Sequence, residues 1–388
     1  MDLHFDEREQ AFHDRLVRWL GSVRPPEGLR DYGATPTGDD LGPARRWQRM
    51  LHDTGWAGLS WPRHHGGQEA TVIEQAIYAE ELARAHLPRQ LNLVGLELAG
   101  PMIIAFGTPF QHHRFLAAIL RGDEVWCQLF SEPSAGSDLA GLRTATRRSG
   151  EGWVVAGQKV WTSGAHYADM GLLLARTDGT APAHHGISCF LVPMDRPGIE
   201  VRPLRQMNGE TKFNEVFLDD VELGPADLLG PPGNGWQVAV STLGRERLTL
   251  GVQAIGLLET LDEVLRTAEI RGTALGPVLT DRWVGLWSRT RLLHLTWLRA
   301  LTAHQATGAD SGADATMSIL KLAGSQLQEA IAQLGGDVSG PDLGAGLRGA
   351  QWRDRLLVSP GATIAGGTSE IQRNILAERV LGLPREPR

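Results

Sequence analysis

From Leu3 to about Leu120 the apolar residues recur three and four positions apart, as in "REQAFHDRLVRWLGSV" and "EQAIYAEELARA". That spacing lines one face of a helix, so residues 1–121 are expected to form a helical N-terminal domain. Pro and Gly break the pattern in "RPPEGLRDYGATPTGDD" at 24–40 and in "SWPRHHGG" at 60–67, which predict a surface loop and a turn. Near Val125 the pattern changes. "VWCQLFSEP", "GWVVAGQKVWTS", "GLLLART", "GISCFLVPM", "IEVRPL" and "NEVFLDDVEL" are short β-type runs separated by Gly, Pro and Asp. Residues 122–236 are therefore expected to form an antiparallel β-barrel or sandwich. Helical periodicity returns after "GPPGNGW" at 230–236, and residues 237–388 are expected to be a C-terminal helical domain. The fold class is α+β and multidomain. Helices and strands follow one another in blocks rather than alternating, which excludes a Rossmann enzyme, and no P-loop occurs.

Composition narrows the function classes. A length of 388 residues suggests about two or three packed units. With 42% hydrophobic and 21% charged residues, neither disorder nor a membrane class is indicated. The N-terminus "MDLHFDEREQ" lacks the basic and apolar regions of a secretory signal, so a cytoplasmic protein with no membrane partner is expected. A net charge of −7 argues against nucleic acid as a partner. Cys127 and Cys189 sit in apolar runs without CxxC spacing and read as buried thiols. The histidines form adjacent pairs such as His64-His65 and His112-His113, which do not face one site on a helix, so no metal is expected.

Candidate chemistry begins with "LFSEPSAGSDLAG", Leu129 to Gly141, where a strand turns through Pro133 and offers Ser131, Ser134, Ser137 and free backbone N–H groups. Small residues admit a flat or anionic ligand close to the backbone, although by itself the segment reads first as an ordinary Ser/Gly turn. In "GQKVWTSGAHYAD", Trp161 is followed by Thr162, Ser163 and Gly164, an aromatic plate beside hydroxyl donors. An isoalloxazine ring suits that pairing, and a core tryptophan is the alternative.

Together, "FSEPSAGSDLAG", "GQKVWTSGA", "GPPGNGW" and "GGTSEIQRNILAERVLGLP" resemble the signature segments of the acyl-CoA dehydrogenase family, in order and over nearly the whole chain. The resemblance implies a C-terminal four-helix bundle, an FAD cofactor, and oxidation of an acyl thioester. In that reaction the α-proton goes to a carboxylate and the β-hydride to flavin N5. It implies that Gln128, Phe130, Ser131 and Ser137 line flavin and thioester, with Ser137 nearer the CoA chain. Trp161, Thr162 and Ser163 would meet the isoalloxazine, and Thr368, Ser369 and Glu370 the dinucleotide end of FAD. Electron-transferring flavoprotein or a similar acceptor is the implied redox partner.

Many family members carry the base immediately before Gly-Thr-Ser, where this chain has Gly366. In "STLGRERLTLGVQAIGLLETL", Leu243, Glu246, Leu250, Ala254 and Leu257 share one helical stripe, so Glu246 interrupts an apolar face, and none of its neighbours three and four residues away (Thr242, Leu243, Thr249, Leu250) is cationic. Burial without a partner makes a carboxylate more basic. A minority of the family resembles this sequence in placing its base on that helix, which makes Glu246 the candidate base. Arg247 matches a family arginine near the thioester. The resemblance further implies that the Gly366 backbone N–H remains as the oxyanion donor.

Ser369 and Gln372 fit an S-x-x-Q capping box on a helix running to about Leu381 and closed by Gly382 and Pro384. Two family elements that act across a subunit interface are altered. The Arg-x-x-Phe-Gly segment is not recognisable in "EIRGTALGPVLTDR", and the Gln-x-x-Gly-Gly element reads "AQLGGDVSGPD". Both a homo-oligomer (dimer or tetramer) and a heterotetramer with a paralogue therefore remain open. So do two alternative functions, a non-catalytic or half-site subunit and a same-fold flavin monooxygenase. The acyl group and its carrier, CoA or carrier protein, are not specified.

Overall fold

The computed structural model describes residues 5–29, 35–36, 38–246, 253–272, 274–307, 313–344 and 349–384, excluding the side chains of 39, 242–246, 304–307 and 313–314. The chain divides into two compact units. One comprises Met1–Leu16, Val72–Ala83 and Arg247–Arg388, and the other Val17–Thr71 and Arg84–Glu246.

Among the described residues, five α-helices precede the first strand: α1 (Glu7–Ser22), α2 (Leu41–Asp53), α3 (Val72–Arg84), α4 (Gly100–Phe106) and α5 (Pro109–Arg121). The boundaries of α5 follow from its sequence. Thr108 and Gln111 form a reciprocal capping box, Pro109 occupies the first turn, and Gly122 closes the helix at φ 71°. Within the second unit, Trp47, Trp56 and Trp61 are buried, and Trp47 and Trp61 donate their indole N–H groups to Pro88 O and Leu96 O. The polar tips of Trp47 and Trp61 are thereby satisfied, so these large aromatic side chains can serve as core.

Eight strands follow among the described residues: β1 (Trp126–Leu129), β2 (Ala145–Ser149), β3 (Gly152–Ser163), β4 (Met170–Arg176), β5 (Ile187–Pro193), β6 (Ile199–Leu204), β7 (Phe213–Leu223) and β8 (Leu228–Leu229). They form one sheet in the order β6-β7-β3-β2-β4-β5-β8, with β1 added alongside β4. The expected helical, β, helical order is present, with a refinement to the sheet. It is mixed and open, because β1 and β2 both run parallel to β4 while the other pairs are antiparallel. The centre of β4 and β5, "GLLLA" and "SCFLV", is buried throughout, as expected of strands covered on both faces.

Helix α6 (Gly235–Glu246) ends the second unit. In the first unit, α7 (Gln253–Ile270), α8 (Pro277–Thr307), α9 (Ala313–Ser339) and α10 (Ala350–Ala362) pack around Leu261, Trp297, Leu327, Ile331, Leu334 and Trp352. The altered "QLGGD" element has a structural task there. A Cβ at Gly335 would overlap the Trp352 ring, and one at Gly336 would meet Leu356 Cδ1, so the glycines let α9 and α10 approach closely. Arg271, in the segment that departs from the family, donates to Val338 O at 2.6 Å at the end of α9. Among the described residues no helix is long and apolar enough to cross a membrane.

Helix propensity alone would make Gly335→Ala stabilising by about 1 kcal/mol. Overlap with Trp352 should reverse the sign, giving a net loss of roughly 1–3 kcal/mol in urea denaturation.

Candidate active site

In the second unit, the segments around Ser131 and Trp161 meet. Val160 N donates to Ser131 O at 2.9 Å, joining the turn after β1 to β3. Lys159, fully buried, donates to Phe130 O at 3.1 Å and to Glu132 Oε1 at 2.8 Å. Glu132 also accepts from the backbone N–H groups of Arg143 (2.6 Å) and Thr144 (2.8 Å). One buried ion pair thus fixes both ends of the loop that carries Ser131, Ser134 and Ser137.

Burial pulls the Lys159 ammonium down to about 8, partly offset by the Glu132 charge. Burial alone would raise the Glu132 carboxyl, but the Lys159 charge and the donors around it hold it below the usual carboxylate range. The pair is therefore ionised at neutral pH.

Trp161 is 62% exposed and adopts φ 59°. A left-handed conformation on a bulky residue costs on the order of 1–3 kcal/mol and persists only where the surroundings enforce it. The enforcement is a bulge, since the β3–β7 register shifts between Lys159 and Thr162. Asn214, fully buried on β7, holds the far side by donating to Thr162 O at 2.9 Å and to His166 Nδ1 at 3.2 Å. Phe213 meets the indole edge-on, with ring centroids 6.0 Å apart. An apolar plate is thereby presented on the surface beside the exposed Ser163 and next to the half-buried Ser131. A flat heteroaromatic group with a polar edge fits this combination.

The other expected residues of this unit are distributed by burial. Gln128 is half-buried in β1, Phe130 has its ring in the core, and Ser137 is exposed. Thr162 points inward, opposite Trp161, and its buried hydroxyl has no partner among the described residues. Glu246 is the last residue of α6, but its side chain lies outside the described residues, as does all of Arg247.

In the first unit, α11 (Ser369–Ile375) follows the loop Thr363 to Thr368. The expected Ser369 cap is corrected by one residue. Thr368 is the N-cap, its hydroxyl accepting from Ile371 N at 3.3 Å, while Ser369 is buried and donates its N–H to Thr363 O at 3.0 Å. Glu370 is exposed and pairs with Arg373. Helical structure continues through a π-helical turn (Leu376–Val380), and Gly382 follows at φ 67°. Gly366 and Gly367 both have positive φ, 64° and 93°. The buried Lys321 on α9 donates to Thr363 O at 3.2 Å, and Gln372 donates to Gly366 O at 3.2 Å.

Lys159, Glu132, Asn214 and Lys321 were not singled out by sequence reasoning. A signal was available for two of them: a lysine inside the apolar run "VVAGQKVW" and a glutamate just after "CQLF" are charges where strands bury their residues. Among the described residues no group of His, Cys, Asp and Glu could hold a metal ion.

Comparison with known proteins places three consecutive domain families on the chain. The acyl-CoA dehydrogenase N-terminal domain matches residues 35–123, the middle domain 127–221 and the C-terminal domain 233–381. Acyl-CoA dehydrogenase IpdE1 of Mycolicibacterium smegmatis is 40% identical over 97% of this chain and 98% of its own length. Among solved structures, the Tcur3481-Tcur3483 steroid ACAD superposes with a TM-score of 0.86 at 27% identity, covering 100% of both chains. The ChsE4-ChsE5 complex from Mycobacterium tuberculosis gives 0.80 at 28% identity, again over 100% of both chains.

Lys159→Met should cost about 3–5 kcal/mol, because it leaves Glu132 buried and uncompensated. The double variant K159M/E132Q should cost less than K159M alone, in denaturation of the two proteins side by side. The acid limb tests the same pair. Glu132 has a folded-state pKa below its unfolded value, so its contribution is complete above the ordinary carboxylate pKa and is lost as pH falls through the depressed one. Glu132→Gln should therefore flatten the acid decline of the thermal midpoint.

Proposed function

The chain belongs to the acyl-CoA dehydrogenase family and is an oxidoreductase of that kind, and from this premise we propose an FAD-dependent α,β-dehydrogenase of acyl thioesters with Glu246 as its base. A flavin cofactor follows from the family. FAD, when bound, would supply the acceptor for the hydride leaving the substrate β-carbon.

The observation that carries the flavin assignment is Trp161, an exposed indole held in a left-handed backbone between a bulge and the buried Asn214. Trp161 would stack on the isoalloxazine, with Ser131 and Ser163 offering hydroxyls to its polar edge and Gln128 and Phe130 completing the wall. Thr162 would contribute through its backbone. Thr368, Ser369 and Glu370 would serve the dinucleotide end.

On the substrate, an α-proton becomes acidic enough to remove when the thioester carbonyl can carry the developing negative charge. Glu246 is the proton acceptor in this reading, supported by the apolar spacing of the sequence around it, of which residues 247–252 lie outside the described residues. In the same reading the Gly366 N–H would hold the carbonyl oxygen, and Arg247 and Ser137 would serve the thioester and its carrier. Electron-transferring flavoprotein or a similar acceptor would reoxidise the flavin. Resemblance to a structure named as a steroid ACAD makes steroid side-chain thioesters of CoA the first group to assay.

A second reading concerns assembly. Two similar solved structures are named as pairs of different chains, which favours a heteromer with a paralogue over a homo-oligomer. A chain that purifies colourless and acquires flavin only with its paralogue would support this reading, whereas a yellow homo-oligomer bleached by substrate would refute it.

Glu246→Gln should keep its flavin yet lose at least about 100-fold in the rate of anaerobic flavin bleaching across a panel of acyl-CoA thioesters. Bleaching at the wild-type rate would remove Glu246 as the base.

A further inference from the structure

We propose that Gln372 is a positioning residue that locks the Gly366 amide in the orientation that polarises the thioester carbonyl. The inference rests on the reading of Gly366 as oxyanion donor and adds to it the device that preorganises the donor.

The loop has two consecutive residues with left-handed backbone and no Cβ, Gly366 and Gly367. Such a pair can rotate its peptide planes with little steric resistance. Its neighbours are anchored. The Ala365 N–H is bonded to Gly361 O at 3.0 Å, and Thr363 O accepts from both Ser369 N and Lys321 Nζ. Between these anchors, the peptide that carries the Gly366 N–H has no such bond of its own. Among the described residues nothing accepts from that N–H, and Gly366 is exposed, so the group is available to a ligand.

The adjoining peptide is where Gln372 acts. Its Nε2 donates to Gly366 O at 3.2 Å from a side chain only 2% exposed. The amide cannot be turned round, because Oε1 would then face a carbonyl oxygen. In the orientation it adopts, Oε1 is buried without a partner among the described residues. An orphaned acceptor costs stability, and the compensation here is a fixed Gly366 carbonyl. Gly367 is matched to this role, since a Cβ there would lie 2.7 Å from Gln372 Nε2. With Gln372 holding one side and the Gly361 bond the other, the Gly366 N–H has one direction rather than several.

The test uses the holoenzyme and two variants. Gln372→Met removes the donor at similar volume, and Gln372→Glu restores it only when the carboxyl is protonated. The probe is the α,β-unsaturated product thioester of the acyl-CoA that bleaches the flavin fastest, labelled with ¹³C at the carbonyl and followed by infrared difference spectroscopy. In wild type the bound carbonyl stretch should fall below that of the free thioester. In Q372M it should return toward the free value, with kcat down by about 100-fold and KM changed little. In Q372E the frequency shift, and kcat relative to wild type at the same pH, should recover as pH falls. A wild-type complex with no carbonyl shift would refute the donor reading of Gly366 itself. A wild-type shift that survives unchanged in Q372M, together with wild-type kcat, would overturn the role of Gln372 alone. Should Q372M fail to fold, a Q372E protein whose shift, and whose kcat relative to wild type at the same pH, show no such recovery overturns it equally.

Discussion

The middle sheet depends on one buried ion pair. Lys159 and Glu132 are both removed from water, and neither could be ionised there alone. Their mutual charge is supplemented by three backbone groups: the Phe130 carbonyl on the lysine, and the Arg143 and Thr144 N–H groups on the glutamate. A hydrophobic pair of similar volume could fill the same space, but it could not hold three separated points of backbone. The pair therefore acts chiefly as a tether, fixing a loop whose Ser, Gly and Pro residues have few apolar contacts with which to fix themselves.

Strain at Trp161 follows from that tether. Lys159 must point into the sheet to reach Glu132, and Thr162 is also buried. Two residues separate these positions, whereas strict alternation would place Lys159 and Thr162 on opposite faces. A bulge resolves the conflict by inserting one residue's worth of backbone, and Trp161 takes the left-handed turn. The exposed indole is thus a consequence of satisfying a buried lysine and a buried threonine on the same side. Asn214 then consolidates the distorted strand by bonding Thr162 O.

This geometry also explains what was legible in the sequence. The block order of helices and strands was plain because periodicities of 3.6 and 2 differ over many residues. The family could be recognised from four short segments in register. What periodicity cannot convey is the side of a strand after a bulge, which is why Thr162 reads as a surface hydroxyl beside Trp161 but is buried. Nor does local sequence distinguish Thr368 from Ser369 as the cap, since both have a hydroxyl and a polar residue further along. The choice is made by Thr363 O, which takes the Ser369 N–H and leaves Thr368 to close the helix. The parallel pairing of β1 and β2 with β4 was equally hidden, being set by contacts distant in sequence.

The glycine loop shows the opposite solution to the same problem of shape. At Trp161 a side chain is needed, so its left-handed backbone is enforced by neighbours. At Gly366 the backbone conformation is similar, φ 64° against 59°, but no side chain is present. A side-chain-bearing residue there would meet a steric cost of roughly 1–2 kcal/mol, which glycine avoids while giving up the rotational restraint that a Cβ supplies. If Glu246 is the base, as proposed, position 366 needs only its N–H. The missing restraint comes from outside the loop, through Lys321 on Thr363 O and Gln372 on Gly366 O. In the proposed reading of Gly366 as donor, this external clamp does what a Cβ would otherwise do: it decides which way the N–H points.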